Sequence, residues 1–254
     1  PMNLDLSGKH ALVCGASQGI GRATAIALAE LGADVTVLAR SRAALEAVVA
    51  DLPRSGAQTH AWIDVDMNDA AALRARVEAA AEARPITILV NNTGGPAGGP
   101  AHGADAAAYL AAFQQHLLAN HALVQAVLPG MQGAQWGRVV NVISTSVKEP
   151  IRGLGVSNTI RGAVAAWSKT LAGELGPYGI TVNNVLPGYT TTQRLEQILQ
   201  DRARSSGKAP AEVAAAMLAS VPAGRFAEAS EIAAAIAFLA SPAAGYINGV
   251  NLPV

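Results

Sequence analysis

The residues whose spacing points most directly to chemistry stand early in the chain, in the run Gly15-Ala16-Ser17-Gln18-Gly19-Ile20-Gly21. Residues 9–14 (KHALVC) form an apolar strand-like stretch before it, and residues 19–31 set Ile20, Ala23, Ala27 and Leu31 at helical spacing after it. A tight turn at Gly15, a close backbone approach at Gly19 and close helix packing at Gly21 would aim free amides and a positive helix end at a pyrophosphate. Strand before and helix after are what separate a dinucleotide site, including Ser17, Gln18 and Ile20, from a merely structural turn. The end of the second strand selects the cofactor. An NAD site usually carries Asp or Glu about 20 residues beyond the glycines to hold the ribose 2′-hydroxyl. Here the chain reads Ala39-Arg40-Ser41-Arg42, so no carboxylate opposes a 2′-phosphate and two guanidinium groups can pair with one. NADP(H) is expected over NAD(H). The alternative is that both arginines are solvated at a helix start, where the helix dipole mildly disfavours them.

The elements that must position this turn alternate along the chain. Strands are expected at residues 35–39, 61–65, 86–90, 138–143 and 180–186, and helices at 42–52, 69–84, 106–128, 158–175 and from Ser230, as N-cap, to Leu239. Pro129-Gly130 is expected to halt the long helix. Strands alternating with helices of ten or more residues give a doubly wound α/β fold, a parallel sheet of about seven strands with helices on both faces. No linker divides the 254 residues, so a single domain is expected. Residues 193–221, charged and rich in small side chains, read as an inserted helical lid over a site or as a mobile surface excursion.

Composition excludes several functions. At 51% hydrophobic and 14% charged, the chain should bury one substantial core. Eighteen basic and eighteen acidic side chains cancel without long runs, which argues against nucleic acid and suits a small neutral partner. The lone Cys14 and the lack of a CxxC pair imply neither an internal disulfide nor a metal site, and fit a reducing compartment, the cytoplasm. No apolar run approaches the ~18 residues of a membrane span, and the first residues lack a signal-peptide pattern.

Together these residues resemble the short-chain dehydrogenase/reductase family over essentially the whole chain. Gly15, Gly19 and Gly21 match its GxxxGxG turn, and Asp64-Val65 looks like its adenine-contacting step. Asn91-Asn92-Thr93-Gly94 is similar to its NNAG motif with Thr93 for Ala, and Pro187-Gly188 resembles its PG turn, with Thr192 placed for the nicotinamide amide. Pro222 to Arg225 and Phe238 to Ser241 resemble its PxxR and FLAS segments. The resemblance implies a Rossmann fold. It also implies a catalytic Ser, Tyr and Lys with a helix Asn, and here the sequence departs.

Ser144 occupies the family's serine position, orienting a carbonyl. Where YxxxK should stand, the chain reads Ser157-Asn158-Thr159-Ile160-Arg161, and His116 takes the helix Asn position. Ser157 is too weak an acid to replace a phenol, whereas Arg161 keeps a positive charge that can hydrogen-bond a ribose. Two residues are candidate proton donors: His116, otherwise a packed histidine, and Lys148, otherwise a solvated loop residue beside Glu149. Two functions follow: an NADP(H)-dependent oxidoreductase of a small carbonyl or alcohol with an altered tetrad, or a catalytically inactive cofactor-binding or structural subunit. The substrate pocket would lie among residues 94–96, 144–152, Tyr189 and the 193–221 segment. Small residues on helices 106–128 and 158–175 imply, by the resemblance, a homodimer or homotetramer. The family usually continues past Val254 into a DGG turn, which implies a short missing tail.

Overall fold

A computed structural model describes residues 2–254. The first half runs β1 (His10–Cys14), α1 (Gly19–Glu30), β2 (Asp34–Ala39), α2 (Arg42–Asp51), β3 (Ala61–Asp64), α3 (Ala70–Ala83), β4 (Ile88–Asn91). It continues with α4 (Ala106–Phe113), a π-helical turn (Gln114–Leu118), α5 (Ala119–Gly133), β5 (Gly137–Val142) and α6 (Gly155–Leu175). The chain closes with β6 (Ile180–Leu186), α7 (Gln193–Ser206), α8 (Pro210–Leu218), α9 (Ala229–Ala240) and β7 (Asn251–Pro253).

The seven strands form one sheet in the order β3-β2-β1-β4-β5-β6-β7, parallel at every pairing. The inner strands are buried on both faces and mainly apolar, because helices cover both sides of the sheet. Ala11 and Val13 of β1 enter a core with Ala25 and Leu28 of α1 and Ile232 and Ile236 of α9. Leu12 and Cys14 turn to the other face, against Leu73 and Val77 of α3 and Leu123 and Val127 of α5. The order reverses between β1 and β4, and the crevice beyond the strand ends at that point is where such folds bind ligands.

Several boundaries differ from expectation. The helix expected over 106–128 is interrupted by the π-helical turn and then passes through Pro129 to Gly133. Pro129 and Gln125, whose carbonyl loses its usual partner, are exposed to water, while Met131 beyond them is buried, so packing carries the helix past the break. The last helix starts earlier than Ser230: Glu231 reaches back to accept the Glu228 amide at 2.9 Å, placing the cap at Glu228. Helix α6 starts at Gly155 rather than 158, so Ser157 sits in its first turn. Residues 193–221 contain two helices, α7 and α8, that bury Leu195, Ala203, Val213 and Met217 between them.

Candidate active site

An unusual polar row crosses the sheet behind the residues that line the crevice. In the sheet register Asn91 of β4 pairs with Asn141 of β5, Asn141 with Asn184 of β6, and Asn184 with Asn251 of β7. Their amides follow: Asn91 Nδ2 donates to Asn141 Oδ1 at 2.8 Å, Asn141 Nδ2 to Asn184 Oδ1 at 3.0 Å, and Asn184 Nδ2 to Asn251 Oδ1 at 2.8 Å. Asn141 Nδ2 also donates to Ser168 Oγ of α6 at 3.2 Å. Asn91, expected to touch the cofactor, is 2% exposed; its Nδ2 is spent on the sheet, while its Oδ1 is buried without a partner.

Beyond this row, the glycine turn meets the residue that follows β4. Gly15 has φ +59°, and a Cβ there would lie 2.5 Å from the Asn92 carbonyl oxygen. A Cβ on Gly21 would lie 2.2 Å from the Gly15 oxygen, so α1 seats directly on the turn. Gly19, at φ +55°, faces the Thr192 methyl, 3.4 Å from where a Cβ would be. No side chain caps α1 at Gln18, whose amide instead donates to Gln193 Oε1 of α7 at 2.7 Å. The first-turn amides of α1 therefore lack a side-chain acceptor, which fits an incoming pyrophosphate.

Two connected spaces open from this turn. A recess on the β2 side is lined by Ser17, Gln18, Arg40, Ser41, Val65, Asp66 and Gly94 among others. Arg42 and Asp64, both expected in the cofactor site, do not line it. Asp64 Oδ1 accepts from Arg76 at 2.7 Å and Oδ2 from Arg42 at 3.2 Å, and the Arg42 guanidinium lies 4.7 Å from the Trp62 ring centre. Arg42 has found a carboxylate and an aromatic face of its own, leaving Arg40 as the arginine on the recess. Asp66, whose Oδ1 accepts from the Asn68 amide at 3.0 Å, lines the recess beside Val65.

The second space is a cleft over β4, β5 and β6. Its walls hold Gly15, Gly19, Ile20, Thr93, Gly94, Ser144, Ser157, Arg161, Pro187, Gly188 and Thr192. Ser144 Oγ accepts from the Ser146 amide at 3.1 Å, which fixes the oxygen and leaves its proton free to donate. Arg161 is 8% exposed and donates to the Val142 carbonyl at 3.1 Å; burial, reinforced by Arg194, pushes its pKa down to about 10. Thr192 caps α7, accepting from the Leu195 amide at 3.4 Å.

Neither expected proton donor reaches the cleft wall. Lys148 is exposed on the loop after the Thr145–Val147 turn. His116 sits in the π-helical turn, 1% exposed, its Nδ1 within 2.5 Å of Thr93 Oγ1 and its Nε2 without a partner. Burial, helped by Arg161 and Arg194, lowers its pKa to about 3, so it is uncharged at neutral pH and acts on the cleft only through Thr93. Sequence reasoning missed Arg194, whose NH2 donates to the Pro96 carbonyl at 2.7 Å from the first turn of α7. Its only signal was its place two positions after Thr192, inside a segment where arginines look uniformly solvated. Among the described residues no group of His, Cys, Asp or Glu could hold a metal, and no helix is long and apolar enough to cross a membrane.

A doubly wound parallel sheet with a glycine turn at its reversal, and serine hydroxyls lining the same cleft, marks a dinucleotide-binding protein. Residues 9–203 match the short chain dehydrogenase family, and the chain belongs to it. It is 33% identical to the 3-oxoacyl-(acyl-carrier-protein) reductase FabG of Pseudomonas aeruginosa over 99% of this chain and 97% of that protein. It is 34% identical to the L-xylulose reductase of Mesocricetus auratus over 100% of this chain and 97% of that one. The L-sorbose reductase of Gluconobacter frateurii, solved with NADPH and L-sorbose, superposes with TM-score 0.92 at 27% identity, covering 100% of this chain and 97% of that one. The protein is an NAD(P)-dependent oxidoreductase of the kind that acts on CH–OH and C=O groups.

Proposed function

We propose that the chain is an NADP(H)-dependent reductase or dehydrogenase of a small carbonyl or alcohol, in which Ser157 and Arg161 stand where the family uses tyrosine and lysine. The observation that carries this reading is that Ser144, Ser157 and Arg161 line the same cleft as Gly15, Gly19 and Ile20. Choice of NADP(H) rests on Arg40 and Ser41 in the recess and on the lack of an acid at the end of β2.

Gly15, Gly19, Ile20 and Thr192 would hold a nicotinamide cofactor, which would supply a hydride to the substrate carbon or accept one from it. Ser144 and Ser157 donate hydroxyl protons to the substrate oxygen and hold it in place. Arg161, still charged at neutral pH with a pKa of about 10, stabilises the negative charge that develops on that oxygen. No imidazolium serves as acid, and the proton reaches the oxygen from solvent through the hydroxyls on the cleft wall, where the Tyr189 phenol also stands. His116 acts as a positioning residue by holding Thr93 Oγ1.

The test is titration with NADPH and NADH by nicotinamide fluorescence, followed by turnover on a carbonyl panel. Tighter NADPH binding is expected, and Ser144→Ala should lower kcat by roughly 10²- to 10³-fold, as loss of an oxyanion donor does. Tighter NADH binding would sink the cofactor assignment, and turnover unchanged in both Ser144→Ala and Arg161→Gln would sink the site. Leu110, Phe113 and Leu118, 69%, 37% and 39% exposed on α4 and the π-helical turn, support a homodimer or homotetramer; a monomer by light scattering would refute it. The cytoplasm is the compartment that suits the lone thiol of Cys14, buried and pushed up to about 12.

A further inference from the structure

The chain is neutral overall, but the cleft is not. Two guanidinium groups, Arg161 and Arg194, line it, and no carboxylate does. Several arginines elsewhere pair closely with acids, as in Arg22–Asp51, Arg42–Asp64, Arg84–Asp34 and Arg225–Glu231, while the buried Arg138 donates to main-chain carbonyls. Arg161 and Arg194 have no such partner among the described residues. Each spends one hydrogen bond on a main-chain carbonyl, Val142 and Pro96, and keeps its remaining donors. Asp201, the acid that acts on Arg194, is already held by Arg204 at 2.7 Å and Gln197 at 2.9 Å. Each arginine also lowers the pKa of His116, so their joint positive field is felt behind the wall.

Space has been left for Arg194. A Cβ on Gly95 would come within 3.4 Å of its NH2, so glycine there admits the guanidinium between α7 and the loop after β4. Nor are the cofactor's phosphates the natural partners of this pair. Those anions belong at the uncapped start of α1 and in the Arg40 recess, whereas Arg194 bridges to Pro96, beyond Gly94, and Arg161 to the end of β5.

We propose that the substrate is itself an anion, a small oxo acid or the matching hydroxy acid, whose carboxylate is held by Arg194 while its carbonyl oxygen faces Ser144 and Arg161. In the reducing direction the carbonyl carbon gains a hydride and forms a C–H bond, the nicotinamide is oxidised by two electrons, the oxygen takes a proton from solvent, and the carboxylate is unchanged. This rests on the oxidoreductase reading of the cleft.

The test uses the full chain saturated with NADPH and isothermal titration with oxamate, an unreactive anion of oxo-acid shape, against the neutral oxamide and ethyl oxamate. Oxamate should bind about tenfold or more tightly than either neutral compound, and Arg194→Gln should remove about that factor, the worth of one charge-assisted hydrogen bond. NADPH affinity in Arg194→Gln should stay within about twofold of wild type, since a cofactor bound at α1 and Arg40 does not use this side chain. Equal binding of ethyl oxamate, undiminished oxamate binding in Arg194→Gln, or a parallel loss of NADPH affinity would each overturn the proposal. Turnover of neutral ketones with no preference for oxo acids would overturn it and leave the oxidoreductase reading standing. Arginine-dependent oxamate binding with no carbonyl reduced at all would do the reverse.

Discussion

Arg161→Met should stabilise the protein while disabling it. The guanidinium is 8% exposed, pairs with no acid, and has its pKa moved from 12.5 to about 10, chiefly by desolvation. At 1.36 kcal/mol per unit, holding it charged in the folded state costs about 3 kcal/mol. The sign follows from linkage. A base whose pKa is depressed on folding is protonated more readily in the unfolded chain, so the cost is fully present below about pH 10 and is relieved only as pH rises toward 12.5. Methionine fills a similar volume without charge and removes that cost, but it leaves the Val142 carbonyl without its donor, a loss of about 1–3 kcal/mol. The net expectation runs from no change to a gain of about 2 kcal/mol, which at this chain length is a Tm rise of up to roughly 8 °C. Urea denaturation at pH 7 without cofactor measures it, and kcat should fall by roughly 10²-fold or more in the same variant. A loss of stability above about 1 kcal/mol would refute the reasoning, because it would show that the cation is held by favourable contacts rather than tolerated against its solvation.

Further outcomes are equally definite. Arg40→Ala should weaken NADPH binding more than Arg42→Ala, since only Arg40 lines the recess; fluorescence titration of both variants decides it. Gly21→Ala places a Cβ 2.2 Å from the Gly15 oxygen and should cost about 1–3 kcal/mol and most cofactor affinity, while Gly162→Ala, with open space around it in α6, should be neutral or slightly stabilising in thermal melts. Because folding depresses the pKa of His116 from 6.5 to about 3, stability should fall as pH drops from 6.5 toward 3, with His10 and His60 acting in the same sense; His116→Gln should make the loss shallower. A pH–stability curve unchanged by that substitution would contradict the buried, uncharged imidazole.

Alternation of apolar strands and amphipathic helices was enough to read the doubly wound sheet, because burial on both faces writes itself as period and length. Motif spacing brought Ser144, Ser157 and Arg161 to one cleft with the glycine turn. What escaped reading was settled by contacts across the sequence. Arg42 and Arg40 are indistinguishable as letters, and only the approach of Asp64 and Trp62 takes Arg42 away. Arg194 looks like any helix-surface charge until Gly95 and Pro96 come opposite it. Asn91 looks like a ligand until the register of β4 and β5 gives its amide to Asn141.

The asparagine row also bears on how the molecule assembles. Strand side chains alternate in direction, so sliding β5 by one residue would carry Asn141 into the aliphatic layer and strand the amides of Asn91 and Asn184 together. Each mispaired register thus carries several unpaired amides, and the half-sheet beneath Ser144 has one pairing that closes. That pairing is completed only when β7 joins the sheet, since Asn184 donates to Asn251. During synthesis on the ribosome the row therefore stays one hydrogen bond short until β7 emerges and docks, which ties the ordering of the sheet under the catalytic side to β7.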